Sequence, residues 1–203
     1  RIGYPDKWQN NDSAVVVDES KSLRENLENL NVVLQKYEVK KRFGKPVDKE
    51  EWFCTPQTVN AYYSPESNSI NFPAAILQAP FFDPEADDAA NFGGIGSVIG
   101  HEMSHGFDDQ GCQYDKNGNL NNWWTAEDKS NYDKRTKVLA DWFSTQEVIP
   151  GLKVNGEKTL GENIGDNGGI NVAFRAFQNA IKKSPLENKD GFTPEQRFFL
   201  AYG

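Results

Sequence analysis

The sequence predicts a predominantly helical α+β fold, with a small β-hairpin or edge sheet lying beside one helix that carries the chemistry. Three observations point there. Apolar residues recur at spacings of three and four along several stretches, the period of amphipathic helices. Two short runs rich in β-branched and aromatic residues, 59–63 and 70–72, flank a polar turn segment. The only two histidines of the 203-residue chain, His101 and His105, sit four apart with Glu102 between them.

The elements follow in order. From about residue 18 to residue 42, Leu23, Leu27, Leu30, Leu34 and Tyr37 mark one face of a helix that Gly44 and Pro46 end, and packing into a core accounts for that face. The hairpin turns through Ser64-Pro65-Glu66-Ser67-Asn68-Ser69. Residues 79–88 form a connection rich in proline and aspartate that holds Phe81 and Phe82. The motif helix is expected over roughly residues 92–106, broken by Asp108-Asp109-Gln110-Gly111, and Asn117-Gly118 marks a further turn. Residues 125–145 read as a helix with Thr125 as N-cap and Asp128 at the box position. Pro150-Gly151 and Asn155-Gly156 punctuate a short extended piece, and another helix is expected over about residues 160–183.

Thr193-Pro194-Glu195-Gln196 starts the last helix, with Thr193 as cap, Pro194 at the first position and Gln196 completing a capping box. Its apolar Phe198, Phe199, Leu200 and Tyr202 expect neighbours and a continuation, and Arg1 opens the chain without a signal-like apolar stretch. The chain therefore reads as a piece of a larger protein. No internal repeat appears, and nothing within residues 1–203 demands a domain boundary.

Composition narrows the function. A net charge of −8 and a pI near 4.9 disfavour a nucleic-acid partner, and the scattered acids fit a solvated surface. No apolar run approaches the roughly 20 residues that span a bilayer. Cys54 and Cys112 lie far apart in no metal-like spacing, which leaves paired and free thiols both open.

The pattern His101-Glu102-Met103-Ser104-His105 is H-E-x-x-H. Residues i and i+4 share a helix face, so both imidazoles can reach one metal ion while Glu102 projects beside them. There a carboxylate can take a proton from water activated by the metal. Such a pattern also arises by accident on a solvated helix, but the preceding Gly93-Gly94-Ile95-Gly96-Ser97-Val98-Ile99-Gly100 is small and apolar, unlike an exposed face. Glycines costing up to about 1 kcal/mol each in a helix interior point to close packing. Buried histidines and a buried glutamate need partners, and a metal supplies them.

Catalytic zinc sites use three protein ligands and keep a position open. With no third histidine, an acid must complete the set. Glu162, in Gly161-Glu162-Asn163-Ile164-Gly165-Asp166-Asn167-Gly168-Gly169, is the best candidate, being flanked by glycines that admit another backbone. Asp166 follows four residues on, on the same face, where it suits an outer carboxylate that accepts a histidine ring N–H. Asp108, three residues past His105, could serve the other histidine or be an ordinary helix-ending aspartate.

Several longer stretches resemble the neprilysin and endothelin-converting-enzyme family of zinc metallopeptidases. They are Val59-Asn60-Ala61-Tyr62-Tyr63, Phe72-Pro73-Ala74-Ala75-Ile76-Leu77-Gln78, Gly93-Gly94-Ile95-Gly96 running into the H-E-x-x-H motif and Gly106-Phe107-Asp108-Asp109, Asn122-Trp123-Trp124, the Leu160 to Gly169 stretch, and Arg197-Phe198-Phe199-Leu200. The resemblance is strong from about Phe43 onward and weaker before it. It implies a zincin-like catalytic lobe with one zinc per chain held by His101, His105 and Glu162. It further implies Glu102 as the water-activating base and Asp166 beside a ligating histidine, where it is also given a proton-donor role.

The same resemblance makes Asn60 and Ala61 the edge-strand positions that hydrogen-bond a peptide substrate, a use open to any strand edge that can accept an added strand. It makes Ile76, Phe81 and Val98 the pocket for a bulky apolar residue after the scissile bond, with Ser97 where some relatives carry methionine. A histidine and an arginine that steady the oxyanion in the family lie downstream of the matched region, and a second helical lobe closes its substrate chamber. The rest of a parent chain is thus an expected partner, alongside peptide substrates. An extracytoplasmic setting is implied as well. The rival expectation is a non-catalytic, zinc-stabilised module that binds peptides or a partner.

Overall fold

In the computed structural model, which describes residues 1–8 and 15–203, the first helix begins later than its apolar period suggests. Ser22 makes a full capping box with Glu25, so α1 runs Leu23–Arg42. The expected core face is only partly realised. No residue of α1 is buried, and Leu23 and Leu27 are exposed, while Leu30, Leu34 and Tyr37 are half-buried. Glu51 accepts from Lys41 and Arg42 at 2.7 and 2.9 Å, closing the stretch that follows the helix. These residues belong to one compact unit, Pro5–Phe53; the other unit joins Arg1–Tyr4 to Cys54–Gly203.

In the larger unit the expected hairpin is present, shifted by a few residues. β2 (Tyr62–Ser64) pairs antiparallel with β3 (Ser69–Pro73), in the register Tyr62 with Asn71 and Ser64 with Ser69. The strand starts at Tyr62 rather than residue 59 because the Asn60 N–H turns back to the Thr58 carbonyl at 3.0 Å. Asn60 and Ala61 therefore lie just ahead of the strand. The other edge of β3 takes β1 (Ile2–Gly3) in parallel, a pairing that nothing in two residues announces. Asn71 is fully buried between them, and its amide is satisfied by Arg1, Tyr62 and Ser69.

The motif helix starts four residues earlier than expected, capped by Asp87, whose side chain accepts from the Ala90 N–H. α2 (Asp88–Asn91) passes through a π-helical turn, Phe92–Gly96, into α3 (Ser97–His105). Such turns recur at functional sites. This one places backbone against backbone: a Cβ on Gly94 would stand 2.6 Å from the Phe81 carbonyl oxygen, and one on Gly93 would overlap that of Phe198. The glycine run serves close packing, as its composition implies.

Three helices follow: α4 (Ala126–Thr145), capped by Thr125, α5 (Leu160–Lys183), and α6 (Pro194–Tyr202), whose Thr193–Gln196 capping box forms as expected. Between α4 and α5 the extended piece is a two-stranded ribbon, β4 (Glu147–Ile149) with β5 (Leu152–Lys153). Two apolar cores hold the unit. Ala61, Phe72, Ile76 and Ile95 join the sheet to the glycine-rich turn, while Ala89, Ala173, Phe177 and Phe198 join α2, α5 and α6. Arg197 locks the second core by bonding Asp87 at 2.8 Å. Cys54 and Cys112 are both free thiols. Among the described residues no helix is long and apolar enough to cross a membrane.

Candidate metal centre

Two turns of α3 bring His101 and His105 onto one face, and α5 lays its first turns against them. The two Nε2 atoms are 2.8 Å apart, and Glu162 Oε2 lies 3.3 Å from that of His101 and 3.8 Å from that of His105. The outward nitrogens face carboxylates: His101 Nδ1 is 2.9 Å from Asp166 Oδ1, and His105 Nδ1 is 2.7 Å from Asp108 Oδ2. A carboxylate can only accept, so each Nδ1 carries the proton and each Nε2 presents a lone pair. Two ring nitrogens and a carboxylate oxygen then converge with nothing but lone pairs between them. That arrangement repels itself unless a cation sits among the donors.

The donor chemistry fits zinc. Tetrahedral ligands about 2.0–2.2 Å from one centre lie roughly 3.3–3.6 Å from one another, and the observed separations straddle that range. Among the described residues, these three form the cluster whose ligand atoms all fall within 4.8 Å of one another.

The two outer carboxylates differ in setting. Asp108 is buried, and its other oxygen accepts the Gln110 and Gly111 N–H groups at 2.8 and 2.6 Å. Burial alone would raise its pKa, but the bonds from His105, Gly111 and Gln110 outweigh burial and hold it below the usual carboxylate range. The same Asp108 bond raises the pKa of His105. Asp166 is 63% exposed and holds His101 from the solvent side.

Glu102 is 5% exposed. Burial pushes its pKa up, against the opposing pull of His105 and His101. Its Oε2 is buried with no hydrogen-bond partner among the described residues. An unsatisfied buried oxygen costs about 1–3 kcal/mol, so it marks an atom kept for another partner.

Two clefts meet at this centre and share Asn60, His101 and Glu102. One, of about 730 Å³, is walled by Ile76, Phe81, Val98 and Leu200, and the other, of about 420 Å³, by Ala61, Tyr63, His105 and Glu162. The three residues expected to form the side-chain pocket, Ile76, Phe81 and Val98, thus line one cleft; of the two expected to hold the substrate main chain, Asn60 lines both clefts and the buried Ala61 lines the second. Sequence reasoning missed that Glu102 keeps one buried oxygen without a partner among the described residues, because burial depends on packing and leaves no trace in residue identity. It also missed how nearly α3 and α5 touch.

The chain is similar to known proteins over most of its length. Residues 60–203 match the model of peptidase family M13. Neprilysin-11 of Caenorhabditis elegans is 42% identical over 212 residues, covering 99% of this chain and 25% of that protein. Human endothelin-converting enzyme 1 is 48% identical over 161 residues, covering 78% of this chain and 21% of its own length. The crystal structure of the Mycobacterium tuberculosis zinc metalloprotease ZMP1 with an inhibitor superposes with a TM-score of 0.91 at 48% identity, over all of this chain and 31% of that one. The chain thus spans between a fifth and a third of the length of these relatives.

Proposed function

The chain belongs to peptidase family M13, and we propose that it supplies the metal centre of a zinc-dependent endopeptidase that cuts oligopeptides on the amino side of bulky apolar residues. One observation carries this reading: the buried, unpartnered oxygen of Glu102 beside three converging lone-pair donors. A purely structural zinc site is closed by its own ligands and has no use for such a base.

His101, His105 and Glu162 hold the zinc in this reading. When bound, the ion supplies Lewis acidity, which acidifies water and polarises a carbonyl. Glu102 accepts a proton from the attacking water and delivers it to the amine as the C–N bond breaks. Asp108 and Asp166 keep each imidazole in the tautomer that turns Nε2 inward. Asn60 and Ala61, ahead of β2, hold the substrate main chain, and Ile76, Phe81 and Val98 receive the side chain after the cut.

The direct test is cleavage of a quenched fluorescent peptide carrying Phe or Leu after the scissile bond, by the whole protein with and without a chelator. Cleavage that chelation stops and zinc restores is expected. Zinc binding without turnover would instead favour a binding module.

The two outer carboxylates separate in experiment. In Asp108→Asn, either amide orientation turns an NH2 toward an N–H, of His105 or of Gln110 and Gly111. Zinc affinity is expected to fall about 10- to 100-fold, and stability by about 1–3 kcal/mol. Asp166→Asn can offer its carbonyl to His101 and its NH2 to water, so stability should change by no more than about 0.5 kcal/mol. Urea unfolding and zinc competition measure both, and equal destabilisation in the two variants would contradict the assignment.

A further inference from the structure

The three donors come from two helices, so their spacing depends on how closely those helices approach. α3 and α5 cross main chain to main chain. A Cβ on Gly169 would stand 2.7 Å from the His101 amide nitrogen, 2.7 Å from the Ser97 carbonyl oxygen and 3.0 Å from His101 Cα. From the other side, a Cβ on Gly100 would stand 2.7 Å from the Gly169 carbonyl oxygen and 2.8 Å from its Cα. No side-chain rotation relieves such contacts, because the atoms met are backbone. The turn of α3 that receives Gly169 is the one that carries His101.

Glu162 lies two helical turns before Gly169, about 10 Å along α5 at roughly 1.5 Å per residue. Its side chain is 74% exposed. A ligand so little packed reaches the imidazoles only because its helix lies close. We propose that Gly169 is the positioning residue for the third ligand: its missing side chain lets α5 rest on the α3 backbone and so sets the reach of Glu162. Carbon atoms settle about 3.5–4.0 Å apart, so one added methyl must drive α5 outward by up to about 1 Å. Ligands need placing to within about 0.5 Å.

The inference rests on the zinc reading above, and the test separates the two. Zinc affinity of the whole protein is measured by chelator competition, and ligand geometry by the visible spectrum of the cobalt(II) form. Gly169→Ala is expected to weaken zinc about 10- to 100-fold and to alter the cobalt spectrum. In a Glu162→Ala background the same change should matter less than about twofold, because the ligand it positions is gone. Unchanged affinity and spectrum, or a full loss persisting in that background, would overturn the proposal. Glu162→Asp shortens the reach without touching the helix crossing, and should weaken zinc by a similar factor. Parental affinity in Glu162→Asp would overturn the proposal even where Gly169→Ala does not fold. Failure of the unsubstituted protein to bind zinc would sink the metal reading itself, and this inference with it.

Discussion

Replacing Glu102 by glutamine is expected to leave zinc bound while peptide cleavage falls by about 10²–10⁴-fold, the usual contribution of a positioned acid–base group. Glutamine keeps the size and shape of the side chain. It cannot take a proton from water. Because burial raises the pKa of Glu102, the neutral amide should also be easier to bury than the charged carboxylate, and the variant should be no less stable than the parent. The measurement pairs a cleavage assay with zinc content after dialysis. A variant that still cuts peptides at the parental rate refutes the assignment, and one that has lost its zinc shows that Glu102 serves the metal instead of the proton.

The second large effect is expected at Glu162. Changing an outer partner of a ligand typically costs 10- to 100-fold in metal affinity, so losing the ligand in Glu162→Ala should cost at least about 100-fold. Its exposure makes the protein without zinc indifferent to the loss, within about 0.5 kcal/mol. The contrast is readable as stability. At free zinc a thousand times the parental dissociation constant, binding adds about 4.1 kcal/mol to the parent, but only about 1.4 kcal/mol to a variant bound a hundredfold more weakly. Unfolding with zinc and with chelator therefore separates the two proteins in the first condition and superposes them in the second. Divergence in the chelated samples would mean that Glu162 supports the fold.

Much of the fold could be read along the chain, where local chemistry sets it. The capping box of α6 and the N-cap of α4 fall where Thr193 and Thr125 place them, because a cap is a contact between residues three apart. Boundaries that depend on partners slipped. α1 starts at the Ser22 cap and leaves much of its apolar face uncovered, and β2 starts late because Asn60 turns toward Thr58. β1 could not be read at all, since its two residues become a strand only by pairing with residues about 70 positions away.

The candidate site divides along the same line. A helix repeats every 3.6 residues, so spacing alone put His101 and His105 on one face with Glu102 at their side. The sequence marked Glu162 and Asp166 as a pair one turn apart on a glycine-flanked helix. What it could not contain is the distance between the two helices. Packing alone brought Gly100 and Gly169 together so that the backbones meet, and gave each imidazole its carboxylate, Asp108 or Asp166. The physical reason is that periodicity fixes direction within one helix, whereas packing of surfaces far apart in the chain fixes separation, and a metal centre depends on both.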